Sequence, residues 1–127
     1  MNRHIKKYYL LLLLFSCLSA SSQEDSLAFY FNKGSSLSAE ALRVYTKQLR
    51  FKDSLSIYRI ASKIVTRENK THFYHQVAKS FFDVDNYEVS RVYYTKALEM
   101  AKLTLDKRII AKELTALGNV YRMQDRN

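Results

Sequence analysis

The chain has no proline and no tryptophan, and only two glycines and one cysteine in 127 residues. So little glycine and proline excludes a collagen-like chain. One cysteine cannot staple a fold through disulfides or fill a Cys-rich zinc site. No G-x-G-x-x-G or G-x-x-x-x-G-K-[ST] loop occurs, which removes the common glycine-loop nucleotide sites. Long hydrophobic runs are missing too. The stretch Tyr8–Phe15 is eight residues long, too short to cross about 30 Å of hydrocarbon even with Cys17 and Leu18 added. The length suits one small domain or a few short repeats, not a multidomain enzyme. What the chain does have is apolar surface. Ten tyrosines and seven phenylalanines within a 47% apolar composition argue against disorder.

The N-terminal segment reads as a signal, not as part of the fold. Arg3, Lys6 and Lys7 precede the apolar run, and SCLSASSQED follows it. A basic region, a short hydrophobic region and a small-residue zone make a secretory signal peptide over residues 1–22. Leu14-Phe15-Ser16-Cys17 resembles the lipobox of bacterial lipoproteins, which implies lipid attachment at Cys17 and membrane anchoring through that lipid. Phe15 is larger than that pattern prefers. The alternative is ordinary cleavage after Ala20 or Ser22, with Cys17 discarded. Both routes predict an exported protein that is periplasmic, outer-membrane-associated or secreted in a bacterium.

Without Arg3, Lys6 and Lys7, 18 of the 21 basic residues remain against 12 acidic ones, a net of +6. That balance favours acidic partners or an anionic surface. No basic run of five or more follows residue 20, and with export this argues against nucleic acid as a partner.

Residues 23–35 carry an aromatic knot (Leu27, Phe29, Phe31) and read as a linker or an N-terminal cover. From residue 36 onward little interrupts a helix, and apolar residues recur at spacings of three and four. This pattern predicts an all-α fold with helices near 38–49, 52–66, 71–83, 87–103 and 109–123. TRENKT, after Val65, reads as an interhelical loop. Asp85 with Glu88 reads as a capping-box-like start to the fourth helix.

The helical stretches repeat. A shift of 36 places Leu42 on Ala78, Tyr45 on Phe81, Ser54 on Ser90, Tyr58 on Tyr94 and Ala61 on Ala97. A shift of 40 places Ala78 on Gly118 and Phe81 on Tyr121. Small residues match small ones where helices must approach closely, and aromatics match aromatics where a gap must be filled. These twelve positions are the expected repeat-packing set. Leu117-Gly118-Asn119-Val120-Tyr121, Ser90/Tyr94/Ala97 and Ser54/Tyr58/Ala61 resemble the two helix signatures of the tetratricopeptide (TPR) repeat family. Phe51 and Tyr87 stand where that family opens its second helix with an aromatic. The early tryptophan and the inter-repeat proline are absent, and the second unit spans about 40 residues. That length looks like the extended-helix variants of bacterial regulatory and sensory proteins.

The resemblance implies antiparallel helix hairpins forming a short right-handed α-solenoid, with units near 36–70, 71–110 and a partial 111–127. It also implies a concave wall carrying Arg43, Thr46 and Lys47, then His72, His75, Lys79 and Phe82, then Lys112, Asn119 and Arg122. That wall is basic and would hold an acidic or C-terminal segment of a protein or peptide partner. Against it stands the plainer reading of a solvated charged face. The family's carboxylate clamp finds only a partial match, at Asn119. The last residues fall in the turn after a first-type helix, so the chain reads as the opening of a longer protein or a truncated product.

Chemistry-bearing constellations are few. His72 and His75 lie three apart, but Asp83 and Asp85 are poorly placed to complete a metal sphere, so both histidines read as exposed surface residues. Asp53, Asp83 and Asp85 fit helix-end duty, and no serine sits in a nucleophile motif. Asn69-Lys70-Thr71 is a glycosylation sequon, relevant only in a eukaryotic secretory pathway. The expectation is therefore a non-enzymatic, cofactor-free protein-interaction module outside the cytoplasm. Two alternatives are the extracytoplasmic input region of a truncated bacterial sensor kinase or regulator, and an envelope scaffold lipoprotein.

Overall fold

The computed structural model describes residues 20–34 and 54–126. Five helices account for them: α1 (Ala20–Asn32), α2 (Ser54–Ser62), α3 (Arg67–Asp83), α4 (Tyr87–Thr104) and α5 (Lys107–Asp125). No strand occurs among the described residues, so the fold is all-α. The helix expected at 38–49, Phe51, and the assigned residues Leu42, Arg43, Tyr45, Thr46, Lys47 and Cys17 lie outside the described residues. The chain divides into two compact units, one ending at Ile64 and the other starting at Val65.

In the first unit α1 packs on α2. Leu27, Ala28 and Phe31 of α1 are buried, as are Ile57, Ile60 and Ala61 of α2 and Ile64 just after it. Residues 23–32, read as a linker or cover, are thus helical. Polar contacts bind the two helices. Arg59 donates a fork to Glu24, from Nε to Oε2 at 3.0 Å and from Nη2 to Oε1 at 2.8 Å. Lys63 pairs with Asp25, and Asn32 Nδ2 donates to the Lys63 carbonyl at 3.0 Å. The Glu24 carboxylate is buried while Arg59 is half exposed, so the fork satisfies a carboxylate held away from water.

In the second unit α3 packs on α4 and α4 on α5. Phe73, Val77 and Ala78 of α3 are sealed from solvent, with Tyr93, Tyr94, Ala97 and Ala101 of α4 and Leu117 and Val120 of α5. Ser90 sits in the middle of this core and donates its hydroxyl to the Ala78 carbonyl at 2.8 Å. A side chain larger than serine would push the two backbones apart. The aromatic side chains form a short stack: Tyr93 lies between Tyr74 (centroids 6.4 Å apart) and Phe81 (6.0 Å).

Each helix of this unit begins on a polar cap. Thr66 accepts from the Asn69 amide at 3.1 Å, Asn86 from Val89 at 3.3 Å and Asp106 from Arg108 at 2.9 Å. TRENKT is therefore a capped first turn of α3, not a loop, and the sequon Asn69–Thr71 lies inside a helix. A polar first turn is what four unpaired amides and the positive helix end prefer, and Glu68 adds its charge there. The cap of α4 is Asn86, one residue later than the Asp85 expected. Asp85 instead takes the left-handed conformation (φ 62°) and ends α3. Its amide donates to the Phe82 carbonyl at 3.0 Å, and Asn86 donates to Phe81 at 2.9 Å. These two bonds are the Schellman closure of a helix. Leu105, φ 60°, closes α4 in the same left-handed region.

The repeat-packing set splits. Ala61, Ala78, Ser90, Tyr94 and Ala97 are buried, and Phe81 is half-buried in the aromatic stack. Ser54 is exposed, and Tyr58 and Tyr121 are 68% and 50% exposed. A Cβ added at Gly118 would meet nothing within 4 Å. The expectation of close packing fails at these four, because no described element lies against those faces. The helices are packed, but the period is uneven.

Candidate functional site

The surface that brings half of the predicted wall residues together lies wholly within the second unit. A recess of about 300 Å³ opens there between α3, α4 and α5. His75, Lys79, Phe82 and Asp83 enter it from α3, one stripe along that helix. Tyr94 enters from α4. Lys112, Thr115, Ala116 and Asn119 enter from α5. Five of the predicted wall residues (His75, Lys79, Phe82, Lys112 and Asn119) therefore meet. His72 stands a turn before His75 and feels the Lys112 charge. Arg122 donates to Asn119 Oδ1 at 2.9 Å, leaving that side chain's amide hydrogens for other acceptors.

Beneath the recess lies a charged contact that sequence spacing does not reveal. His75 Nδ1 faces both carboxylate oxygens of Glu113, at 3.0 and 2.9 Å. The Glu113 side chain is only 2% exposed and that of His75 12%, so the reading of His75 as an exposed surface residue is corrected. A carboxylate accepts from Nδ1–H, which ties α3 to α5 through two largely buried side chains. One signal in the sequence does point to it. Glu113, Leu117 and Val120 follow the i, i+4, i+7 rule of a buried stripe, so the glutamate interrupts an apolar face.

The remaining electrostatics follow from this contact. The edge of His75 meets the Tyr94 ring at 5.2 Å between centroids, at 72°. Burial, aided by the Glu113 and Asp83 carboxylates, pushes the Tyr94 phenol up to about 12, so it stays an O–H donor throughout the physiological range. Burial first, then Lys112 and His75, holds the His72 imidazole below its usual value, against the opposing pull of Glu113. Lys79 and Lys112 have no ion-pair partner among the described residues. Phe82 is steadied by an edge contact with Tyr87 at 5.2 Å.

No group of three or more histidine, cysteine or carboxylate side chains able to hold a metal ion occurs among the described residues. None of the described helices is long and apolar enough to cross a membrane. No protein-family model matches the chain, and no curated protein or solved structure matches it.

Proposed function

We propose that this protein is a non-enzymatic helical-repeat interaction module of tetratricopeptide type, holding an acidic segment of a partner protein on the basic surface formed by α3 and α5. The observation that carries this reading is the convergence of Lys79, Lys112 and Asn119 at one recess, where neither lysine forms an ion pair among the described residues. Short turns between helices laid side by side, and Ser90 seated against Ala78, support the repeat architecture and its solenoid form. The basic, then leucine-rich, then serine-rich start of the chain supports export from a bacterial cytoplasm, with Cys17 as the point of lipid attachment.

The test is titration with fluorescent peptides rich in Asp and Glu, at low and high salt. Binding should weaken with salt, and Lys79→Glu/Lys112→Glu should weaken it at least tenfold without changing the helical circular dichroism. Both lysines are exposed, so the exchange leaves the core intact. Equal affinity of the folded double variant would remove the reading.

A further inference from the structure

Helix α5 presents three faces. One buries Glu113, Leu117 and Val120, and a second lines the recess. The third carries Lys107, Ala111, Leu114, Gly118, Tyr121 and Asp125, and every one of these is exposed. Their spacing alternates four and three, which holds them in one stripe like the seam of a coiled coil. Leu114 and Tyr121 are 52% and 50% exposed. A Cβ added at Gly118, between them, would meet nothing within 4 Å. Lys107 and Asp125, at the two ends of the stripe, form no ion pair among the described residues.

The equivalent stripe on α3 is covered. The shift of 40 that relates the repeats places Tyr74, Ala78 and Phe81 on Leu114, Gly118 and Tyr121. There α4 lays Tyr93 against both aromatic rings and seats Ser90 on the Ala78 carbonyl. No described helix does the same for the α5 stripe.

Read backwards, this stripe is complementary to itself. We propose that its occupant is α5 of a second copy of this chain, laid antiparallel about a two-fold axis level with Ala116. Lys107 then meets Asp125 of the second copy, Ala111 meets Tyr121, and Leu114 meets Gly118. Cation faces anion in one layer and large faces small in the other two, and the two-fold repeats all three. A parallel pair would set Lys107 on Lys107, Asp125 on Asp125 and Gly118 on Gly118, and gains none of this. The contact is isologous, so it closes at two copies. From Lys107 to Asp125 the stripe runs about 27 Å, and one helix pair of that length buries an area at the low end of specific interfaces. The expected Kd is about 10–100 µM. Dimer formation and acidic-peptide binding use different faces of α5, so each stands or falls without the other.

The experiment is sedimentation equilibrium of the whole chain from about 1 µM to about 1 mM, with far-ultraviolet circular dichroism to show that each variant folds. The wild type should pass from monomer to dimer and stop there. Gly118→Leu fills the hollow that receives Leu114 while touching nothing in its own chain, and should weaken the dimer by about tenfold or more. Lys107→Asp and Asp125→Lys each set like charges face to face in two layers, and each should weaken it about tenfold. Combining them as Lys107→Asp/Asp125→Lys lets opposite charges meet again across the axis, and should return the affinity to within about twofold of wild type.

A wild type that stays monomeric at about 1 mM overturns the proposal and leaves the stripe to another segment of this chain or to a partner of different sequence. A dimer indifferent to Gly118→Leu overturns it as well, and moves the association elsewhere, for instance to the apolar run Tyr8–Phe15. Single charge variants that weaken the dimer without rescue by the exchange overturn the antiparallel register.

Discussion

The residue with most at stake is Glu113. Its carboxylate is sealed inside a three-helix unit and meets one cationic or donor group, His75. Removing the histidine leaves a buried carboxylate without its donor, so His75→Ala should destabilise the unit by about 3 kcal/mol. Replacing both residues by leucine should return most of that loss, because a well-packed apolar pair needs no desolvation. A double-mutant cycle by urea unfolding reads the coupling directly, and additive losses would show that the contact contributes nothing to stability.

His72, a turn away, sets a pH dependence of known sign. Its folded-state pKa lies below the ordinary 6.5 because burial and Lys112 disfavour the cation. Below that pH the unfolded chain binds more protons than the folded one. His72 therefore costs no stability above about pH 6.5 and destabilises increasingly as the solution is acidified through and below it. His72→Gln should remove this contribution. The variant's unfolding free energy, relative to wild type, should rise as the solution is taken from about pH 7 down to about pH 5, and a constant difference would refute the assignment.

Among the elements, the helix ends hold the clearest energetics. Thr66, Asn86 and Asp106 each satisfy an amide that would otherwise lack a protein acceptor, and alanine at any one should lower stability by about 1 kcal/mol. Leu105 is the opposite case. It occupies left-handed backbone with φ 60° while its side chain is 85% exposed, so it bears conformational strain with little burial to offset it. Leu105→Gly should raise stability by about 1 kcal/mol in a thermal melt, the relief of the left-handed penalty less the added freedom of the unfolded chain.

These ends also show where sequence reading has reach. Periodicity located α4 within a residue, since its apolar stripe is unbroken. It began α3 and α5 late, because a polar first turn resembles a loop until its cap is seen. The repeat resemblance likewise named His75, Lys79, Phe82, Lys112 and Asn119, which line one recess. Sequence alone could not anticipate Tyr94 as a recess wall or His75 as the partner of Glu113, because both depend on which helices meet.

At the scale of the whole molecule, the repeat is written more evenly in the residues than in the packing. Ala61 and Ala97 are equivalent in sequence and both buried, yet Tyr58 and its counterpart Tyr94 differ between 68% and 5% exposure. An alignment registers only side-chain type, whereas exposure depends on whether a second helix is there. Ser90 illustrates the tighter half of the pattern. It fits against the Ala78 carbonyl with no room to grow, so Ser90→Leu should unfold the second unit or cost at least about 2 kcal/mol, while Ser54→Leu on exposed α2 should be near neutral. Thermal unfolding of the two variants would separate a packed repeat position from one that only looks like it.

The aromatic stack gives this protein an optical signature. Tyr74, Tyr93 and Phe81 lie nearly parallel, at 18° and 10° between successive planes, and the chain has no tryptophan to drain their excitation or mask their bands. Rings fixed in a chiral, closely spaced array couple their transitions. Near-ultraviolet circular dichroism around the tyrosine band therefore carries a contribution from the packing of the second unit, while far-ultraviolet ellipticity counts helices wherever they are. Loss of the first signal ahead of the second during denaturation would mark side chains coming apart while the helices still stand, and Tyr93→Leu would remove the stack's share of it.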